Sequence, residues 1–552
     1  MNTDKLDLQD TTVANRLPRP SAFWLVLFLS VFTCGYLCSS VVSAFAGDPE
    51  VEADVILRGG LIVDGSGKDG EVGDVAIKDD RIVAVGKFKV KGNPKVLDCD
   101  GLVIAPGFID LHTHSDTPIT QAKTNVNLNY LMQGVTTIVT GNCGSGPTDV
   151  AGYFAKMEKR GIGTNVIHQV PHNNVRAAVM GNVNRDPTDA ELKKMEALVD
   201  QGMRDGAWGL STGLIYNPGT YCKTDELVAL AKVAAKHGGF YASHVRNEGD
   251  RVMASIEEII TIARRAGIRV HISHIKVTGR RNWGKAPDMI AAIRKARSEG
   301  VAITADQYPY IASSTNLAAM VIPAKFREGA AKEQIARLDD PEIGPKMRKA
   351  IEDTIDGREG GKSLKIAGYA KRPEWQGKDL DTIATMEKKS LLDIVIEIQR
   401  NGGAQVVSFG MNEEDVRLFM KEPFVATASD GGSMLPAKNV PHPRSYGTFP
   451  RKIGRYAIED KIIPLGHAVR SASGLPADIL ELPQRGYIKT GYFADIVVFD
   501  PKTMRDKATF DSPHQYAGGV QYLLVNGAVV IDHGTFTEKL SGRVLRHVSK
   551  RK

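Results

Sequence analysis

His112 and His114 stand one residue apart in GFIDLHTHSD, Gly107 to Asp116, directly after an apolar run. In an extended segment residues i and i+2 point the same way, so the two imidazoles can converge on one point, as metal ligands do. An HxH pair alone is weak evidence, because exposed pairs also arise by chance. Four further residues close other apolar runs: Cys143 in TGNCGSG, His244 in ASHVRNEG, His274 in ISHIK and Asp430 in ASDGG. Singly, each reads as a satisfied core histidine, a small buried cysteine or a capping aspartate. Together, six residues at the same end of five predicted elements, they read as a site. One thiolate and up to four imidazoles form a borderline-soft donor set that suits Zn2+.

The elements that must position these groups follow from the texture of the chain. LVIAPGFIDLH, GVTTIVTGNCG, TNVIHQVPH, GAWGLSTGLIY, GFYASHVRNEG, IRVHISHIK, AITADQYPY and FVATASDGG each read as a buried parallel strand. Helical stretches such as DELVALAKVAAKHG and ASIEEIITIARRAG separate several of them. The expected fold class is α/β: a (β/α)8 TIM-like barrel at about 106–485, whose catalytic groups sit where strands end. Residues 317–422 are too long for a barrel connection and read as an inserted subdomain or lid between strands seven and eight. Both chain ends are hairpin-rich, with turns at Gly59-Gly60, Gly65-Ser66-Gly67, Asp79-Asp80 and Asn526-Gly527. Residues 47–105 and 486–552 are therefore expected to join in one small β-sandwich.

The composition is that of an ordinary globular protein: 552 residues, 42% hydrophobic, 24% charged, net charge +7. No basic run or basic-aromatic stripe marks a nucleic-acid partner. Ala22 to Ala46 carries no charge, follows Arg16 and Arg19, and ends on Ala44-Phe45-Ala46. Residues 1–46 thus read as a cleaved secretory signal or as an uncleaved membrane anchor. Either reading exports the bulk of the chain, to the periplasm or the exterior, and only the second involves a membrane. Of five cysteines, Cys34 and Cys38 lie in that segment. Cys99 and Cys222 read as structural. Cys143, as a metal-bound thiolate, would need no disulfide partner.

GFIDLHTHSD, GNCG, SHVRNE, ISHIK, DQYPY and ASDGG with HPRSYGTFPR, in this order, resemble the amidohydrolase superfamily. Within it they resemble the D-aminoacylase (N-acyl-D-amino-acid deacylase) family, from about Ala53 to Arg546. HxH marks only the superfamily, whereas the GNCG cysteine with HPRSYGTFPR is much more specific to the deacylase branch. GLSTGLIY carries no lysine where many amidohydrolases hold a carboxylated one, which fits cysteine as the anionic ligand. The resemblance implies a zinc-dependent hydrolase that splits N-acyl-D-amino acids into a carboxylate and a D-amino acid. It implies that Cys143, His244 and His274 hold a tight zinc, with His112 and His114 at a second, weaker position bridged by Cys143. It implies Asp430 as general acid and base, and Lys276, Tyr308, Ser314 and Arg444 as the grip on the substrate carboxylate.

Two departures matter. GSGPTDV after the cysteine lacks the bulky apolar residues of some relatives, which leaves the acyl preference open. QVPHNNVR keeps a His172 to Arg176 spacing with a different lead-in, so His172 reads mainly as packing, with substrate contact as the alternative. Rival readings are a cyclic amidase of the dihydropyrimidinase or hydantoinase kind, a dipeptidase, or an inactive binding barrel. The last would have lost ligands, and all are present. Side-chain preference and oligomeric state are not legible from residue types.

Overall fold

Eight parallel strands form the ring that the apolar runs predict. They are Phe108–Asp110, Val135–Thr140, Asn165–His168, Gly209–Gly213, Phe240–His244, Arg269–Ile272, Ile303–Gln307 and Val425–Thr427. Neighbours pair in parallel around the ring, with Val170–Pro171 carrying the third position onto Leu210 and Ser211. The circle closes where Thr113 bridges Gly431. Every residue of the first five strands is buried, as expected when helices cover the outside of a parallel sheet. The predicted helices form at Thr224–Lys236 and Val252–Ala266. The second turns Ile256, Ile259, Ile260 and Ala263 inward, one stripe at helical spacing, and ends on Gly267 in the left-handed conformation that suits a C-cap.

This computed structural model describes residues 49–548. The expected signal or anchor segment lies outside them. Among the described residues no helix is long and apolar enough to cross a membrane. Contacts divide the chain into two units. The barrel, the insertion and the strands of both chain ends described below belong to the larger, Val51–Gly86 with Val90 onward, and the described part of the smaller is Pro49–Glu50 and Lys87–Lys89.

Three expectations about elements need correction. LVIAPGFIDLH is two strands, not one: Val103–Pro106 pairs with Ile496–Phe499 outside the barrel, and only Phe108–Asp110 enters the ring. The break falls at Gly107, which crosses Thr136 so closely that a Cβ there would lie 2.3 Å from its methyl. Gly59-Gly60 is no turn, but lies inside the strand Val55–Ile62, where the register shifts between Leu57 and Gly60 as in a bulge. The insertion spans Ala312–Phe409 rather than 317–422, since Glu413–Met420 is a barrel helix whose Val416, Phe419 and Met420 join the main core. Within the insertion, Ala312–Asn316, Gln405–Phe409 and Leu364–Gly368 make an antiparallel sheet over a separate core that includes Trp375, Ile351, Ile394 and Val406.

Strands from both chain ends share one nine-stranded sheet, in which Ile496–Phe499 pairs with Val103–Pro106. Alternation sorts its side chains: Ile104, Ile496, Val498 and Leu524 enter a core with Leu57, Val75 and Ile82, while Val103, Val497, Phe499 and Leu523 join the barrel core. The Asn526-Gly527 hairpin forms, both residues at positive φ as a two-residue turn requires.

Candidate metal centre and catalytic site

Ring closure itself builds half of the site. His114 donates its backbone N–H to Gly431 O at 2.6 Å, and Asp430 donates its own to His112 O at 2.8 Å. The HxH pair lies just beyond the end of the first strand, and that pairing brings both rings to one carboxylate. Asp430 Oδ1 is 3.5 Å from His112 Nε2 and 3.1 Å from His114 Nε2. Buried Asp110 supports the closure by accepting from the backbone N–H groups of His112 and Ser429.

Cys143 arrives on the tight turn after the second strand. Gly141, Cys143 and Gly144 all adopt positive φ, and a Cβ on Gly141 would sit 2.2 Å from Gln169 O. The GNCG motif is thus a steric requirement of this turn. The turn presents the thiol to three rings: Sγ lies 3.3 Å from His112 Nε2, 3.7 Å from His244 Nδ1 and 3.6 Å from His274 Nε2. Tetrahedral zinc with Zn–S of ~2.3 Å and Zn–N of ~2.0–2.1 Å holds its sulfur and nitrogen ligands about 3.6 Å apart. The donor set and its sulfur–nitrogen spacings fit such an ion. The rings suit it as well, since burial pushes the pKa of His244 well below its ordinary value and that of His112 down to about 4. Both are neutral ligands near pH 7.

Two carboxylates that the motifs did not reveal stand behind these rings. Glu248 Oε1 lies 3.2 Å from His274 Nδ1 and 3.7 Å from His244 Nε2, a buried ring nitrogen with no hydrogen-bond partner. Asp306 accepts the His274 backbone N–H at 2.7 Å, pairs with His271 Nε2 at 2.8 Å, and faces His112 Nδ1 at 3.6 Å. Carboxylates behind metal-ligating histidines fix the ring tautomer and orientation. Glu248 stands four residues after His244, and Asp306 opens DQYPY, but neither spacing has meaning until the loops are folded.

The residues expected to grip substrate divide into two kinds. Tyr308 and Ser314 line the cavity above the metal cluster. Lys276 also reaches that cavity, yet its ammonium donates to Glu248 Oε1 at 2.6 Å and stands 2.7 Å from His274 Nδ1. The buried Glu248 carboxylate needs that countercharge. Arg444 donates to Asp430 Oδ2 at 2.7 Å and to Ser314 O at 3.2 Å. Burial would raise the Asp430 pKa, but Arg444, His274 and His112 outweigh it and hold the carboxyl well below its usual range. His172 takes the packing role: its Nε2 meets Glu226 at 2.8 Å, and it lines neither lobe of the cavity. Cys99 and Cys222 are buried free thiols.

The cavity has two lobes of about 740 and 650 Å3, which share Tyr216, Ser314, Thr315 and Asp430. Cys143, His114 and Arg444 face one lobe, and His244, His274 and Lys276 the other. The insertion supplies wall to both through Ser314 and Thr315. A buried metal-ligand cluster beside one carboxylate, under a deep cleft at the strand ends, is the arrangement of a hydrolytic site.

Known proteins resemble this chain along nearly its whole length. Residues 95–531 match the amidohydrolase family. D-aminoacylase of Alcaligenes xylosoxydans xylosoxydans is 35% identical over 516 residues, covering 89% of this chain and 97% of that protein. Two solved structures superpose over 90% of this chain and 100% of theirs. One is a D-aminoacylase with a binuclear metal centre (TM-score 0.76, 32% identity). The other is the N-acyl-D-glutamate deacylase of Bordetella bronchiseptica with zinc and a phosphonate mimic of the tetrahedral intermediate (TM-score 0.77, 31% identity). Given the barrel, the thiol among three imidazoles and these full-length likenesses, this chain belongs to the amidohydrolase family, on its D-aminoacylase branch.

Proposed function

We propose that this protein is a zinc-dependent hydrolase that cleaves N-acyl-D-amino acids to a carboxylate and a free D-amino acid. The observation that carries the reading is the Cys143 thiol, set at zinc-ligand spacing from His244 and His274 and beside Asp430, in a chain similar to D-aminoacylase along 97% of that enzyme. Cys143, His244 and His274 would hold one ion, and His112 and His114 with Cys143 offer a second position. When bound, zinc supplies a Lewis acid that makes water nucleophilic near neutral pH and polarises the scissile carbonyl.

The chain's own groups do the rest. Ionised Asp430 takes a proton from the attacking water and returns it to the amide nitrogen as the C–N bond breaks, so the amine leaves neutral. The Arg444 guanidinium, next to Asp430, and the hydroxyls of Tyr308 and Ser314 face the space in which a substrate carboxylate would be held. Arginine suits that task through its bidentate geometry. Lys276 acts first through Glu248 and His274, and only its remaining hydrogens are free for substrate.

The test is a pair of variants assayed on N-acetyl-D-amino acids, with and without a chelator. Cys143→Ala should lose both bound zinc and turnover, whereas Asp430→Asn should keep zinc and lose turnover. Full turnover in either variant, or hydrolysis confined to L substrates, would defeat the reading. We further assign the protein to an exported compartment on the uncharged stretch Ala22 to Ala46. A mature protein retained in the cytoplasm with that segment intact would count against it.

A further inference from the structure

We propose that Arg358 is a second anion subsite in the cavity wall, taking an acidic group of the substrate remote from its α-carboxylate. The inference rests on the deacylase reading above and names a substrate class within it.

Arg358 follows the helix Ile343–Asp356 of the insertion and lines the same lobe as His244, His274 and Asp430. The acidic residues of that lobe have cationic partners: Glu248 with Lys276, Asp250 with Arg281, Asp353 with Lys349, and Glu359 with Arg280. Arg358 has none, and among the described residues no carboxylate lies within ion-pair distance of it. Its side chain makes one hydrogen bond among the described residues, from Nε to Met320 O at 3.1 Å. That bond anchors the inner edge of the guanidinium and leaves both terminal nitrogens without an acceptor among the described residues, the edge that clasps a carboxylate bidentately. Burial alone shifts its pKa, downward, with no acidic neighbour to offset it. An arginine remains charged regardless, so the fold carries a part-buried cation whose countercharge is not supplied by the chain. A ligand can supply it.

The size of the lobe agrees. About 740 Å3 is room for a ligand of 300–1,000 Å3 pockets' usual kind, well beyond an acetyl group and a small side chain. The anion can belong to the amino-acid side chain or to the far end of a dicarboxylic acyl group. The chemistry at Arg358 is the same for both.

Two matched pairs separate these sources on the zinc-loaded enzyme: N-acetyl-D-glutamate against N-acetyl-D-glutamine, and N-succinyl-D-leucine against its terminal amide. In one pair the anion should be preferred by about 10- to 100-fold in kcat/KM, the range of a charge-assisted hydrogen-bonded pair. Arg358→Met should bring that ratio close to one, and Arg358→Lys should keep part of it. Removing an uncompensated charge should offset the loss of the Nε bond to Met320 O and leave the melting temperature close to that of the parent. A fall larger than one hydrogen bond explains would mean that the terminal nitrogens have a protein partner, and would overturn the proposal. So would ratios near one in both pairs, or a preference that Arg358→Met leaves intact. Calorimetric binding of the same compounds distinguishes the two levels. Anion binding that weakens in Arg358→Met without any turnover would keep the subsite and retire the deacylase. Turnover indifferent to Arg358 would do the reverse.

Discussion

Glu248→Gln tests whether the carboxylate behind the ligands controls the metal. One oxygen of Glu248 stands 3.2 Å from His274 Nδ1 and 3.7 Å from His244 Nε2, so a single substitution disturbs two of the three groups proposed to hold zinc. Loss of such an outer partner weakens metal binding by about 10- to 100-fold, or roughly 1.4–2.7 kcal/mol. The same change leaves the Lys276 ammonium, 2.7 Å from His274 Nδ1, without its countercharge. Breaking a buried pair in this way costs about 3–5 kcal/mol of folding stability. The double variant Glu248→Gln, Lys276→Met removes the stranded charge and should regain most of that stability, but not the affinity, because the orienting carboxylate is still missing. Zinc affinity is read by competition with a chromophoric chelator, and stability by urea unfolding of the metal-free protein. Parental affinity in the single variant would refute the positioning role. Recovery of affinity together with stability in the double variant would show that charge balance alone matters.

Lys452 is buried with no hydrogen-bond partner among the described residues, and burial pushes its pKa down to about 7 from 10.5. Below about pH 7 the folded state carries the full cost of a buried ammonium. Between about 7 and 10.5 the unfolded chain binds a proton that the folded chain lacks, so stability rises with pH. Lys452→Met should therefore raise the melting temperature, by an amount reflecting a few kcal/mol near pH 6 and little above pH 10.5; an equal gain at both would contradict the assignment. Buried Glu226 is pressed upward by burial, but its partners His172 and Arg176 prevail and its pKa is lowered from 4.5. Its contribution should be present above about pH 4.5 and lost on further acidification, and urea unfolding of Glu226→Gln should lack that acid dependence. Gly107→Ala should cost about 1–3 kcal/mol through the clash with Thr136, read as a lower urea midpoint at unchanged slope.

Much of the fold was legible because its strands are short, apolar and buried on both faces, a pattern that survives in one dimension. The clustering of candidate donors was legible for a related reason: strand ends in a barrel share one face, so His112, Cys143, His244, His274 and Asp430 could be grouped from position along the chain. Elements that depend on packing were misjudged. Gly107 divides an unbroken apolar run because of Thr136, a residue from the next strand, and Glu413–Met420 belongs to the barrel because of the core that it meets.

The sequence by itself determined which donors exist and at which strand ends they emerge, since hydrophobic periodicity and turn chemistry are local properties. Only the tertiary structure decided which groups face one another: Glu248 behind two rings, Lys276 held by that carboxylate, and Arg444 clasping Asp430. It also left Arg358 as the unbalanced charge of its lobe. Coulombic and hydrogen-bonding energies depend on distances of a few ångströms between residues far apart in the chain, and those distances exist only once the ring has closed.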